Sequence, residues 1–179
     1  MKHGGLKMKF VEMFIVIKEV DKNDIAECVK VIKDSFITVA NDFGFTVENA
    51  PRFTAFATTE DRLNWHLLGE HRPMYAFYDQ GNIVGYYSLL LQDNNECELN
   101  NLCVSPAYRH KGIGEELLKN AFNVAKDLGC VKINIGIVEE NEVLKKWYES
   151  GASYSIYANN DNTLIGGMLI GTFSPFPNH

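Results

Sequence analysis

The chain has 179 residues, 46% of them apolar and 22% charged, with a formal net charge of −6 at neutral pH. That is the composition of an ordinary globular domain with enough length for a full core. Lys and Arg are scattered rather than clustered, which excludes a general nucleic-acid or anionic-membrane binder but leaves room for a local basic site. The four cysteines, Cys28, Cys97, Cys103 and Cys130, form no CxxC pair and have no His at metal-ligand spacing. They read as free thiols in a reducing cytoplasm, with no metal.

Residues 1–12 read as a poorly specified N-terminal extension of a single domain spanning 1–179. Met1 to Lys9 is basic and Phe10 to Ile17 apolar. Glu12 interrupts the apolar run, Lys18-Glu19 closes it and no small-residue cleavage site follows, so a signal peptide is not expected. No segment approaches the roughly 20 apolar residues of a membrane span.

Phe14 to Val20 reads as a first strand, and Asp21 to Asp24 supplies capping residues for a helix that runs to about Asn41. Its apolar stripe is Ile25, Val29, Ile32, Phe36 and Val39. Asn41 to Thr58 is irregular and aromatic, the character of a binding loop. Thr59 to about Glu70 reads as a second, short helix carrying Trp65 and His66. Met74–Tyr78 and Ile83–Leu91 are strands joined across Asp79-Gln80-Gly81-Asn82, and Glu96–Val104 follows the Asp93-Asn94-Asn95 turn. Gly112 to Leu128 has a one-sided stripe of Ile113, Leu117, Leu118, Ala121, Phe122, Ala125 and Leu128, which predicts a helix closed by Gly129. Val131–Val138 is a strand, Asn141 to Gly151 a short helix, and Tyr154–Ala158 and Leu164–Thr172 are final strands.

The order predicts an α/β (α+β) fold: a mixed, mostly antiparallel sheet of about seven strands with helices on both faces. The strand–helix–strand unit from Glu96 to Val138 supplies one parallel junction, between the fourth and fifth strands. Ligands favour the C-terminal ends of parallel strands. At that place stands Arg109-His110-Lys111-Gly112-Ile113-Gly114. The first amides of a helix lack intrahelical partners, the helix dipole favours anions there, and glycine lets an anion reach the backbone. Arg109 and Lys111 add positive charge. A nucleoside-triphosphate loop would need Gly-Lys-Ser/Thr, but Glu115-Glu116 follows Gly114. A dinucleotide fingerprint would need a third glycine, where Leu117 stands.

The segment Glu98-Leu-Asn-Asn-Leu-Cys-Val-Ser-Pro-Ala-Tyr-Arg-His-Lys-Gly-Ile-Gly114 resembles the coenzyme-A-binding motif of the GNAT superfamily of acetyltransferases. That motif is a strand ending in Leu/Val-x-Val-x-Pro, then Arg/Gln-x-x-Gly-x-Gly/Ala opening a helix. Asn141-Glu-Val-Leu-Lys-Lys-Trp-Tyr-Glu-Ser-Gly151 resembles the family's second signature, with Leu144 and Ala152 departing at packing positions.

The resemblance implies a GNAT fold and an N-acetyltransferase with acetyl-CoA as co-substrate and no metal. It implies that the amides of Arg109, His110, Lys111, Gly112, Ile113 and Gly114 hold the pyrophosphate. It further implies that Leu102, Cys103 and Val104 pair with the pantetheine arm, which Asn141 also touches. Tyr148 is then the acid that protonates the departing thiolate, and Glu98 the base that helps deprotonate the amine. Alternation along the strand does not separate Glu98 from Glu96, and a water is a further candidate for the base; matching carboxylates in the family favour Glu98. At a lysine-like pKa, freeing the neutral amine at pH 7 costs roughly 4.6 kcal/mol.

The acceptor, a small-molecule or peptide amine, is expected between the Asn41–Thr58 loop and the final hairpin. Asp42, Phe43, Phe45, Trp65, His66 and Tyr154 are candidates to line that site. Phe43 and Phe45 beside Asp42 suit an amine with an apolar group, and the acidic surface favours cationic acceptors weakly. A covalent acyl-Cys103 scheme is set aside, since no activating His is evident and a thiol in a buried strand is usually inert. The rival reading is a non-catalytic acyl-CoA-binding or sensing module on the same scaffold. The Leu164–Thr172 strand, rich in Gly and Ile/Leu, is a candidate to pair with a second subunit in a homodimer.

Overall fold

The computed structural model describes residues 16–138, 141–151, 154–158 and 168–173, with backbone alone described at 138, 149, 151 and from 154 onward. The extension at 1–12, Ala152 and the start of the expected Leu164 strand lie outside the described residues.

The strands β1 (Val16–Glu19), β2 (Met74–Asp79), β3 (Asn82–Gln92), β4 (Glu96–Val104), β5 (Lys132–Val138), β6 (Tyr154–Ala158) and β7 (Met168–Phe173) form one sheet in the order β1-β2-β3-β4-β5-β7-β6. Every pairing is antiparallel except β4 with β5, whose register runs from Glu96↔Lys132 to Leu99↔Ile135. The crossover between them is α4 (Ile113–Asp127).

Two cores lie on opposite faces of the sheet. On one face Leu117, Leu118, Ala121 and Ala125 of α4 pack on Val84, Tyr87, Leu89, Cys97, Leu99, Ile133 and Ile135. On the other, α1 (Ile25–Phe43) covers Met74, Ala76, Ile83, Tyr86 and Cys103. The buried residues of α1 are Ile25, Cys28, Val31, Ile32, Ser35 and Ala40, a stripe turned slightly from the expected one, with Val29 and Phe36 only half-buried at its margin. Ser35 turns its small side chain inward, where its Oγ donates to Val104 O across 3.1 Å. That bond ties α1 to the end of β4.

The helix ends at Gly44 in the left-handed conformation, two residues beyond the expected stop. The segment read as irregular contains a short turn of helix, α2 (Thr54–Ala57). The expected second helix is α3 (Glu60–Asn64), which widens into a π-helical turn over Trp65–Gly69. Such turns carry an extra residue and re-aim side chains, a feature that hydrophobic spacing does not signal. No helix among the described residues is long and apolar enough to cross a membrane.

Candidate functional site

Between β4 and α4 the chain makes a 3-10 turn over Pro106–Tyr108, and then His110 and Gly112 adopt positive φ of 61° and 81°. Left-handed residues alternating with ordinary ones turn successive amides toward one side and make an anion-holding concavity. Among the described residues the amides of 110–115 donate to no backbone or side-chain acceptor; the first bond of the helix is Glu116 N to Gly112 O. A Cβ at Gly112 would meet nothing within 4 Å, so the space in front of the turn is open. A Cβ at Gly114 would lie 3.4 Å from the indole of Trp147 and 3.8 Å from Val104.

The basic side chains of the turn divide. Arg109, expected to add charge toward the anion, is turned inward: its Nε donates to Val104 O at 3.2 Å and its Nη2 to Ser35 O at 2.9 Å. It braces the turn against α1 and the end of β4. Lys111 Nζ sits 4.9 Å from the centroid of the Tyr108 ring, and His110 and Lys111 are exposed. Positive charge at the mouth therefore comes from 110–111 and from the helix end, and Ile113 anchors that end in the core.

The strand leading to the turn carries a bulge. The β3–β4 register slips between Tyr86↔Cys103 and Ser88↔Asn100, and Asn101 takes a φ of 56°. The bulge reverses strand parity. Cys97 and Leu99 face α4, and beyond the bulge Leu102 and Val104 pack on that same core while Cys103 faces α1. Glu98 therefore faces the α1 side, opposite to Leu102 and Val104; unbroken alternation would have put all three on one face. The bulge also ends the parallel pairing at Leu99↔Ile135. Past that point β4 and β5 part, leaving Leu102–Val104 with an edge that β5 does not use. The Cys103 thiol is buried and pushed up to about 12 by that burial, so it is inert and offers a ligand its backbone alone.

The two glutamates of β4 differ. Glu96 is held by Lys132 Nζ, 3.0 Å from each carboxylate oxygen, and by Asn134 Nδ2 at 3.0 Å, and the Asn134 bond followed by the Lys132 bond lowers its pKa below the ordinary value. Glu98 has no ion-pair partner among the described residues and receives Gln92 Nε2 at 3.2 Å. Burial pushes its carboxyl above the ordinary range, with Arg72 pulling the other way. Of the pair, Glu98 is the more basic.

On the α4 side, α5 (Glu142–Gly151) brings Tyr148 into the core, 4% exposed, with the Trp147 ring edge-on to it at 4.8 Å. Trp147 is a site neighbour that sequence reasoning passed over; its place one residue before Tyr148 was the available signal. Asn141 caps α5, its Oδ1 accepting from Leu144 N at 3.1 Å, which leaves the Nδ2 group for a ligand.

On the α1 side, Arg52, Thr54, Thr58, Arg62, Leu63, His66 and Asn101 line a hollow beside the bulge. Of the residues expected to line the acceptor site, His66 is there. Phe43 and Phe45 stack at 6.1 Å, and Phe45 meets Phe53 at 5.0 Å, in an aromatic cluster at the end of α1 beside the hollow's lining set. Asp42 is exposed, Trp65 is 63% exposed with its ring over Gly69, and the side chain of Tyr154 lies outside the described residues. Arg52, Arg62 and Asn101 had not been singled out. The four-residue spacing of Arg62 and His66 puts them on one helical face and was legible; the convergence of Arg52 and Asn101 on them was not.

The chain matches the model of the acetyltransferase (GNAT) family over residues 41–154. An uncharacterised N-acetyltransferase of Lactobacillus delbrueckii subsp. lactis is 25% identical over 145 residues, covering 76% of this chain and 82% of the relative. The PaiA N-acetyltransferase of Thermoplasma acidophilum, solved in complex with coenzyme A, superposes with a TM-score of 0.76 at 18% identity over 90% of this chain and 99% of that one. A putative acetyltransferase of Salmonella typhimurium, solved with acetyl-CoA, superposes with a TM-score of 0.68 at 19% identity over 92% and 95% of the two chains.

Proposed function

The chain belongs to the GNAT family and is an acyltransferase, and from that premise we propose that it moves an acetyl group from acetyl-CoA to an amine by direct attack, with Glu98 as base and Tyr148 as acid. The observation that carries this reading is the end of the β4–β5 pairing at Leu99↔Ile135: it leaves the last residues of β4 unpaired by β5 between Glu98, whose carboxyl burial makes more basic, and the turn with the free amides.

The residues present fit the donor. The unpaired amides of 110–115 and the open space before Gly112 suit a pyrophosphate, and the edge of Leu102–Val104 that β5 does not pair, apart from Val104 O, which Ser35 and Arg109 already occupy, suits an amide-bearing arm. Acetyl-CoA, when bound, would supply a thioester whose carbonyl carbon gains the C–N bond as the C–S bond breaks, releasing coenzyme A as the thiol. Glu98 accepts the proton that the amine nitrogen must shed, directly or through one water. Its raised basicity makes it a better acceptor than an ordinary carboxylate, and a positioned base contributes on the order of 10²–10⁴-fold. Tyr148 gives its phenolic proton to the sulfur, so that one proton leaves nitrogen and one arrives at sulfur. Glu96, already paired with Lys132, is unsuited to the base role.

The test is thiol release from acetyl-CoA across a panel of amines. Turnover is expected, with kcat falling on the order of 10²-fold in Tyr148→Phe, which keeps the ring and removes the proton donor. Coenzyme A binding with no turnover of any amine would reduce the protein to an acyl-CoA-binding module.

A further inference from the structure

The hollow on the α1 face contains no carboxylate. Its polar lining is two guanidiniums, Arg52 and Arg62, the imidazole of His66, the carboxamide of Asn101 and the hydroxyls of Thr54 and Thr58. Neither arginine has an ion-pair partner among the described residues. In a chain with a net charge of −6, two unpaired arginines converging on one hollow run against the mean charge.

His66 supplies an independent observation. It is 7% exposed, and its Nδ1 is buried without a hydrogen-bond partner. Its other ring nitrogen gains little: Nε2 is 3.9 Å from Glu70 Oε2, and Glu70 is already paired with Arg72. The ring is held by its backbone, since Arg72 N donates to His66 O at 2.9 Å at the end of the π-helical turn. A buried polar atom left unmet carries its desolvation penalty without a compensating bond. Such an atom calls for an explanation, and a bound ligand or water is one.

The hollow is next to the proposed chemistry. Asn101 is the bulge residue, three positions after Glu98 on the same strand, roughly 10 Å at strand rise. Glu98 faces the side of the sheet on which the hollow lies. An amine presented to Glu98 thus has the two arginines within a short chain's reach on its far side.

We propose that the hollow binds an anionic group on the acceptor, so that the substrate is a small amine bearing a carboxylate or phosphate several bonds from its nitrogen. This rests on the acetyltransferase reading above and narrows it. Arg52 and Arg62 hold the anionic oxygens, Asn101 and the threonine hydroxyls complete the shell, and His66, in the tautomer that carries its proton on Nδ1, donates there. The inference departs from the cationic or apolar acceptor that net charge and the phenylalanines suggested.

The experiment compares matched amines: ω-amino carboxylates of increasing length against their amides and the corresponding diamines, and phosphoethanolamine against ethanolamine. In thiol release, kcat/KM is expected to be at least about tenfold higher for the anionic member of the preferred pair. The carboxylate and phosphate series distinguish the two anions. In Arg52→Gln/Arg62→Gln the ratio is expected to fall toward one through KM. A second arm titrates the same amines into protein carrying 15N-histidine, where the His66 ring signals should shift with the anionic member and not with its neutral partner. A shift without turnover of any amine supports the hollow and counts against the transferase reading instead. Equal or better turnover of diamines, a ratio untouched by the double substitution, turnover confined to peptides, or no His66 shift on titrating an anionic amine overturns the inference even where turnover upholds the transferase.

Discussion

The two sides of the sheet offer a ligand different materials. On the α4 side the turn at 109–114 presents main-chain amides, a helix end and a glycine at positive φ, while its arginine is turned inward onto Val104 O and Ser35 O. On the α1 side the hollow is made of side chains drawn from the loop after α1, from α2, from α3 and its π-helical extension, and from the bulge of β4. A backbone site is fixed by the path of the chain and tolerates few residue types at its tight positions. A side-chain site can be respecified one residue at a time over an unchanged sheet. The first suits a donor common to a family, the second an acceptor particular to one member.

That contrast can be broken at several points. The largest effect belongs to Glu98, where the two sides meet. Glu98→Gln should lower kcat on the order of 10²–10⁴-fold with acetyl-CoA affinity retained, measured by thiol release and by equilibrium binding. Because burial raises the carboxyl's pKa in the folded protein, the fold binds more protons than the unfolded chain between the ordinary carboxylate pKa and the raised one. Stability relative to a neutral side chain is therefore greatest below the ordinary value and falls as pH rises through the raised one. Glu98→Gln should accordingly melt higher than the parent at neutral pH and lose this advantage in acid. An equal melting difference at both pH values would remove the titration from the account.

Next comes the turn. Gly112→Asp sets a carboxylate in the open space of the anion site and should weaken coenzyme A binding on the order of 100-fold by calorimetry. The fold should persist, since the new Cβ meets no atom within 4 Å and Asp tolerates a φ of 81° better than most residues. Unchanged affinity would sink the phosphate assignment. Arg109→Ala tests whether the inward arginine braces rather than binds. Loss of two bonds from a charged donor should raise KM for acetyl-CoA about tenfold, and Arg109→Lys should rescue little because one ammonium cannot reproduce the guanidinium's two separate bonds. The smallest effect is that of Asn141→Ala, which removes the α5 cap and should cost about 1 kcal/mol by denaturant unfolding.

Much of the donor side was legible in the sequence because its signals are local. The apolar stripe of α4, the glycines at 112 and 114 and the Asn141–Tyr148 spacing each state their role within a dozen residues. The choice between Glu96 and Glu98 was not legible, because it depends on Lys132 and Asn134 arriving from β5 to occupy one of them. Nor was the inward course of Arg109, which is set by Ser35 on a distant helix. The bulge at Asn101 left no mark in the hydrophobic pattern, yet it decides which face Leu102, Cys103 and Val104 present.

Sequence alone determined the class of sheet, its parallel junction and the glycine-spaced turn at the head of α4, because periodicity, glycine and helix ends act over a few residues. Tertiary structure alone decided which carboxylate is basic and where the unpaired arginines gather. Those properties come from desolvation and from groups far apart in the chain, and they come into being only when the faces of the sheet are covered.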